Sequence, residues 1–153
     1  MLTRDIEGVL EQLTERWNRM DFSAIRELWD PDESEPYYLP EESEELLASW
    51  DAIETYWANT KATISRLSMR IWDVKAKLLA PNLAVAVYRM HWNGAVTGYP
   101  APLGGDNRVT AIFRRCGDTW RFCHYIEAPL APMLYLRRLY ELDVDSEFLD
   151  NNA

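Results

Sequence analysis

Two side chains on the last predicted strand combine the residue types that acid–base chemistry needs. Tyr125 and Glu127 are two residues apart, and because successive strand residues alternate between faces, the phenol and the carboxyl share one face. A regular strand would place the following residues on its opposite face: Trp120, Phe122, His124 and Ile126. A carboxyl among aromatic rings is harder to ionise, which raises its pKa toward the range of a general acid or base.

Glu127 also has a structural interpretation, as one half of an ion pair at the rim of the sheet. If the turn at Gly117-Asp118 is a two-residue loop, Arg108 lies directly opposite Glu127. If a β-bulge shifts the register by one residue, Val109 lies there instead and Glu127 loses that cation. The sequence leaves both registers open.

The remaining reactive residue types give weaker signals. His91 and His124 are the only imidazoles, and neither has a partner at the spacing that a metal site requires, so we predict no metal site. His124 is more typical of a packing residue on the outer face of a sheet. The chain holds no nucleophile motif, P-loop or dinucleotide fingerprint, and we therefore expect chemistry without a cofactor.

Hydrophobic periodicity predicts the elements that position these residues. Apolar residues at helical spacing define a first helix, which carries Ile6, Val9, Leu10, Leu13, Trp17 and Met20. Further helices are predicted at residues 23–29, around Ile53, Tyr56 and Trp57, and at 133–142. Strands are predicted at residues 37–39, 64–79, 83–93, 108–115 and 119–127, with a loop at 94–106.

This order of elements predicts an α+β fold, with helices first and then four long antiparallel strands. Strands of this length twist and curl. The expected architecture is a cone-shaped, strongly curved antiparallel sheet whose concave face is covered by helices, with a cavity between the two. We predict a single domain at residues 1–142 followed by an acidic tail at 143–153.

Charge and composition exclude several classes of function. A formal net charge of −9 argues against nucleic acid, which is bound by clustered cations. Eleven acidic residues fall between Glu27 and Glu54, and we interpret them as a solvated loop. No apolar run is long enough to cross a membrane, and the first residues lack the apolar core of a signal peptide, so we expect a cytoplasmic protein.

The chain resembles the nuclear transport factor 2-like superfamily, which includes SnoaL-like cyclases, ketosteroid isomerases and the association domain of calmodulin-dependent kinases. The resemblance covers nearly the whole chain and differs at its last strand, where Ile126 and Ala128 replace a second His and a Ser. It rests on Trp17 with Met20-Asp21-Phe22, Ile53 with Tyr56-Trp57, Arg108-Val109-Thr110, Phe113-Arg114-Arg115, Gly117, Trp120 and His124-Tyr125-Ile126-Glu127-Ala128-Pro129.

The resemblance implies a conical pocket for a small apolar or aromatic molecule. Its walls would come from Trp17, Tyr37, Trp57, Tyr88, Met90 and Trp92. Glu127 would move a proton and Tyr125 would donate a hydrogen bond to a developing oxyanion, as in a cyclase, isomerase or dehydratase. The family also implies a homodimer paired through the outer sheet face.

The alternative hypothesis is a non-catalytic module for dimerisation or partner binding. It would place Ile112, Phe122 and His124 in the interface and leave the pocket without a role. Because one scaffold of this kind carries unrelated functions, the resemblance alone does not decide between the two hypotheses.

Overall fold

Five strands and five helices make up the described part of the chain, residues 1–130 and 133–150 of a computed structural model. The helices are α1 (Leu2–Asn18), α2 (Phe22–Arg26), α3 (Trp50–Thr63), α4 (Met133–Leu142) and α5 (Ser146–Asp150). The strands are β1 (Tyr37–Leu39), β2 (Ile64–Ala80), β3 (Leu83–Val96), β4 (Leu103–Cys116) and β5 (Thr119–Pro129).

The strands form one curved, unclosed sheet in the order β1-β5-β4-β3-β2. β2 to β5 pair antiparallel with their neighbours in the chain, whereas the short β1 pairs parallel with β5 at the edge of the sheet. This arrangement confirms the predicted α+β class and the predicted order of the four long strands.

Helix α1 covers the concave face of the sheet, and this packing removes the apolar stripe of the helix from water. Ile6, Leu10 and Leu13 are almost fully enclosed, and the helix packs mainly against β2. In β3 and β4 the small residues Ala84, Ala86 and Ala111 are fully buried. Helix α2 begins after Asp21, whose carboxylate accepts a hydrogen bond from the Ala24 backbone N–H at 3.1 Å.

A β-bulge in β5 decides which side chains face the cavity. Phe113 pairs with Phe122, but the next pair is Ile112 with His124, so Cys123 is the extra residue. The alternation of faces therefore resets within the strand. Phe122 and Tyr125 both lie in the core, with ring centroids 6.2 Å apart, and the prediction that Trp120 and Phe122 face away from Tyr125 is wrong.

The loop before β4 is shorter than predicted. Trp92 pairs with Gly105 and Gly94 pairs with Leu103, so that the ladder continues into the predicted loop. Gly104 serves close packing, because a Cβ there would lie 2.8 Å from the Trp92 carbonyl oxygen, whereas Gly98 has a φ of 89° and lies in the turn that remains. Only residues 97–102 remain unpaired between β3 and β4.

The C-terminal part contains two helices. Helix α4 has the predicted bounds, and α5 falls inside the segment predicted as an acidic tail. Among the residues that the structure describes, no helix is long and apolar enough to cross a membrane.

Candidate functional site

A cavity of about 480 Å³ lies between the concave face of the sheet and helices α1 and α3. Strands β2 and β3, the end of β5 and the loop after β1 complete its walls. The lining side chains that matter most for chemistry are Trp17, Glu41, Tyr56, Met90, Trp92 and Glu127.

Glu127 lies near the end of β5, half-buried in the cavity wall. The Tyr125 hydroxyl donates a hydrogen bond to its Oε1 at 2.7 Å, and the Glu41 backbone N–H donates to its Oε2 at 2.9 Å. Because of the bulge, Val109 lies opposite Glu127 and Arg108 lies opposite Ala128. Of the two registers that the sequence allowed, the structure has the one without the ion pair.

This environment changes the acidity of Glu127. Burial raises the pKa of its carboxyl to about 7, and the charges of Glu42 and Glu41 add to the rise. The hydrogen bonds from Tyr125 and from the Glu41 backbone N–H oppose it. At neutral pH both protonation states of Glu127 coexist, which suits a group that takes up and returns a proton.

Tyr125 lies behind Glu127 and is not part of the cavity wall. It is buried, and its ring stacks on Tyr38 with centroids 5.0 Å apart. Its hydroxyl lies 2.7 Å from Glu127 Oε1 and 3.8 Å from Met90 Sδ, and it donates to the carboxyl when Glu127 is ionised. The structure therefore brings the two predicted residues together, with the phenol directed at the carboxylate.

Two acidic residues that line the cavity, Glu41 and Glu42, were not predicted from the sequence to be site residues. Glu41 Oε1 accepts a hydrogen bond from Trp92 Nε1 at 2.7 Å, and Glu42 Oε1 accepts one from the Tyr56 hydroxyl at 2.6 Å. Burial raises the pKa of Glu41, and hydrogen bonding from Trp92 opposes the rise. The available signal was their position two and three residues after β1, whose parallel pairing with β5 brings them to Glu127.

The predicted wall residues divide into three groups. Trp17, Met90 and Trp92 line the cavity. Trp57 and Tyr88 are buried beneath it, Trp57 with its ring 5.9 Å from that of Tyr38. Tyr37 forms the third group, because it is exposed and does not line the cavity.

Tyr37 lies on the outer face of the sheet, so its predicted place in the pocket wall is wrong. It is 40% exposed, and its ring lies 5.8 Å from the His124 imidazole. Its neighbour Tyr38 is buried and lines the cavity instead. The physical reason is the alternation of faces along β1, which gives two adjacent tyrosines opposite surroundings.

Two polar groups on the concave face are buried without a hydrogen-bond partner in the described part of the chain: the Tyr88 hydroxyl and the Asn107 amide. Tyr88 is near Glu127, whose charge adds to the rise in the Tyr88 pKa that burial causes. Asn107 pairs with Met90 in the sheet and favours the ionised form of Glu41 nearby, but its amide completes no hydrogen bond of normal geometry.

The two histidines lie away from the cavity. His124 is on the outer face beside Tyr37, and burial lowers its pKa. His91 Nδ1 lies 2.8 Å from a carboxylate oxygen of Asp106 on the neighbouring strand. Cys116 and Cys123 are both free thiols.

A larger cavity of about 790 Å³ lies between α1 and the β4–β5 turn. Its arginines are already engaged by the chain: Arg16 bonds to the Ala24 carbonyl and Arg121 to the Glu27 carbonyl. It lies apart from Glu127 and from the aromatic wall. We therefore take the smaller cavity as the candidate site.

The sequence profile of the SnoaL-like domain matches residues 6–132. The chain belongs to the SnoaL-like family, and it shares its fold with nuclear transport factor 2-like proteins. No curated protein matches the chain significantly.

Solved structures of low sequence identity share the fold. A candidate dehydratase of the nuclear transport factor 2-like family from Streptomyces avermitilis has a TM-score of 0.73 at 16% identity, over 84% of this chain and 97% of that one. A candidate scytalone dehydratase from Novosphingobium aromaticivorans has a TM-score of 0.73 at 11% identity, over 84% and 83% of the two chains.

A third structure has a different named role. It is a candidate calcium/calmodulin-dependent protein kinase II association domain from Xanthomonas campestris, with a TM-score of 0.69 at 16% identity. The alignment covers 83% of this chain and 86% of that one. At these identities the three likenesses establish the fold alone.

Proposed function

We propose that this protein binds a small apolar or aromatic molecule in the 480 Å³ cavity and catalyses a cofactor-free acid–base reaction of the dehydratase, cyclase or isomerase type. The observation that carries the proposal is Glu127, a cavity-lining carboxyl whose pKa burial raises to about 7. Candidate dehydratases with the same fold support it by analogy.

Glu127 is the proposed proton carrier. Its ionised form removes a proton from carbon, and its protonated form returns that proton to the departing hydroxyl or to another position. Each carboxylate oxygen has two acceptor sites, so the bonds from Tyr125 and the Glu41 backbone leave one free on each oxygen. A positioned acid–base group of this kind contributes about 10²–10⁴-fold to a rate.

Tyr125 is a positioning residue in this proposal. Its hydroxyl holds Glu127 Oε1 and favours the ionised form of the carboxyl, which keeps part of the base active near neutral pH. The Tyr125 hydroxyl, which was expected to donate a hydrogen bond to an oxyanion, here donates to the base, Glu127. Trp17, Met90 and Trp92 supply apolar wall around the reacting group.

Hydrogen exchange tests the proposal without knowledge of the natural substrate. A panel of bicyclic ketones such as 2-tetralone is incubated with the protein in D2O, and loss of the α-hydrogen signals is followed by NMR. We expect exchange that Glu127→Gln slows by about 100-fold or more. Equal exchange by wild type and Glu127→Gln, or none above buffer, contradicts the proposal; Glu45→Gln, an exposed acid of the same loop, is the matched control.

We also propose that the protein is a homodimer paired through the outer sheet face. This face presents Val87 (47% exposed) and Trp72 (37% exposed) to solvent. The non-catalytic module is less well supported, since Phe122, one of its predicted interface residues, lies in the core.

A further inference from the structure

The charge of the cavity wall has one sign. Glu41, Glu42 and Glu127 line the cavity, and no Lys, Arg or His does so among the described residues. A carboxylate or phosphate placed here would meet the carboxylates of Glu41 and Glu42, a Glu127 that is ionised in part at neutral pH, and no compensating cation from the described residues, which is unfavourable in a partly desolvated site.

Aromatic rings also line the wall, beside the neutral polar residues Asn59, Thr60 and Thr63. Tyr38, Tyr56, Trp92 and Tyr99 all line the cavity, together with Trp17. The face of an aromatic ring carries partial negative charge, and it attracts a cation placed within about 6 Å of the ring centre. The rings and the carboxylates therefore favour the same sign of ligand charge.

The concave face also holds two unused hydrogen-bonding groups beside the carboxylates. The Tyr88 hydroxyl and the Asn107 amide are buried outside the cavity wall and complete no hydrogen bond of normal geometry within the described part of the chain, although Asn107 favours the ionised form of Glu41. Tyr88 is near Glu127 and Asn107 is near Glu41. Both groups can accept a hydrogen bond from N–H, and a buried polar group without one is normally satisfied by a water, an ion or a ligand.

We infer that the ligand of this cavity is an organic cation, an aromatic or alicyclic amine whose ammonium group lies beside Glu41 and Glu42 while its apolar body packs between Trp17 and Met90. This inference rests on the proposed function, because it concerns the same cavity. It adds the charge of the substrate class, which the acid–base proposal leaves open.

Three probes of one shape test the inference on the full chain by isothermal titration calorimetry. They are 2-(1-naphthyl)ethylamine, 2-(1-naphthyl)ethanol and 1-naphthaleneacetate, which carry positive, zero and negative charge. We expect the amine to bind about tenfold more tightly than the alcohol and about 100-fold more tightly than the acid. Added salt should weaken the amine alone.

A matched pair of variants assigns the selectivity to the cavity. Glu41→Gln removes one charge while keeping an oxygen acceptor for Trp92, and Glu45→Gln removes the same charge from an exposed position of the same loop. We expect Glu41→Gln to weaken the amine about tenfold and the alcohol less than twofold. Glu45→Gln should leave both unchanged.

The outcomes separate this inference from the proposed function. Alcohol or acid binding as tightly as the amine overturns the inference, as does failure of all three probes to bind, and so does equal loss of amine affinity in the two variants. None of these results depends on turnover. The acid–base proposal stands or falls separately, on Glu127-dependent hydrogen exchange.

Discussion

Tyr125→Phe removes one hydrogen bond from the proposed base and leaves the surrounding packing in place. The lost bond joins the Tyr125 hydroxyl to Glu127 Oε1 at 2.7 Å. The aromatic ring that stacks on Tyr38 is retained, and the variant should therefore keep the fold. Because the bond favours ionised Glu127, its removal must raise the Glu127 pKa above about 7.

The size of the shift follows from the strength of the bond. A hydrogen bond to a charged group contributes about 1.5–3 kcal/mol, and one pKa unit corresponds to about 1.4 kcal/mol. We expect the Glu127 pKa to rise by about one unit or more. A rise of one unit would lower the ionised fraction of Glu127 at pH 7 from about one half to about one tenth, a loss of about fivefold.

Carbon-13 NMR of the glutamate carboxyls measures this directly. Glu127→Gln identifies the Glu127 signal by its absence, and the titration of that signal is compared between wild type and Tyr125→Phe. Tyr56→Phe, which loses the hydroxyl bonded to Glu42, serves as a control for removal of a phenol at the other side of the cavity. An unchanged or lowered pKa in Tyr125→Phe would refute the reasoning.

Three further predictions test burial and the outer face. The Glu127 pKa in the folded protein lies above its value in the unfolded chain, so the folded state binds the extra proton and the free energy of unfolding falls as pH rises through about 7. Glu127→Gln should raise the free energy of unfolding near pH 8 by a value on the order of 3 kcal/mol, because it removes the buried charge. Urea unfolding of the two proteins measures this difference. Phe122→Ala should lower the unfolding free energy by about 3–5 kcal/mol, and His124→Ala by less than about 1 kcal/mol, in the same assay. Val87→Asp should convert the proposed dimer to a monomer of 17.9 kDa by light scattering, while monomeric wild type would contradict the dimer.

The parts of the fold that were predicted from the sequence depend on local pattern. Helical spacing alone predicts the apolar stripe of α1 that includes Ile6 and Leu13. The β4–β5 turn is predicted by the break in alternation at Gly117, whose φ is 63° in the structure. These signals lie within a few residues of the element that they define. Long strands also carry enough alternating residues to outweigh single exceptions.

The sequence left open whether β5 holds a bulge and did not place it at Cys123, because its cause is not local. Neither glycine nor proline marks it in β5. It places the Phe122 and Tyr125 rings on the same face, where each fills core volume. The choice of register therefore depends on packing against residues that are distant in the chain.

The cavity-lining residues Glu41 and Glu42 were not identified in the sequence for a similar reason. Glu41 lies in an acidic segment that charge patterning interprets as solvated. Its position depends on the parallel pairing of β1 with β5, which sets Tyr38 opposite Tyr125. The same pairing explains the error at Tyr37, since a three-residue strand has too little alternation to show which tyrosine is buried.

The pH dependence of hydrogen exchange tests the central claim, that Glu127 is the acid–base group of this cavity. Because the ionised carboxyl removes the proton, kcat/KM for exchange should rise with pH through an inflection near 7 in wild type. The inflection should move upward in Tyr125→Phe and vanish in Glu127→Gln. An inflection that is identical in wild type and Glu127→Gln would contradict the account.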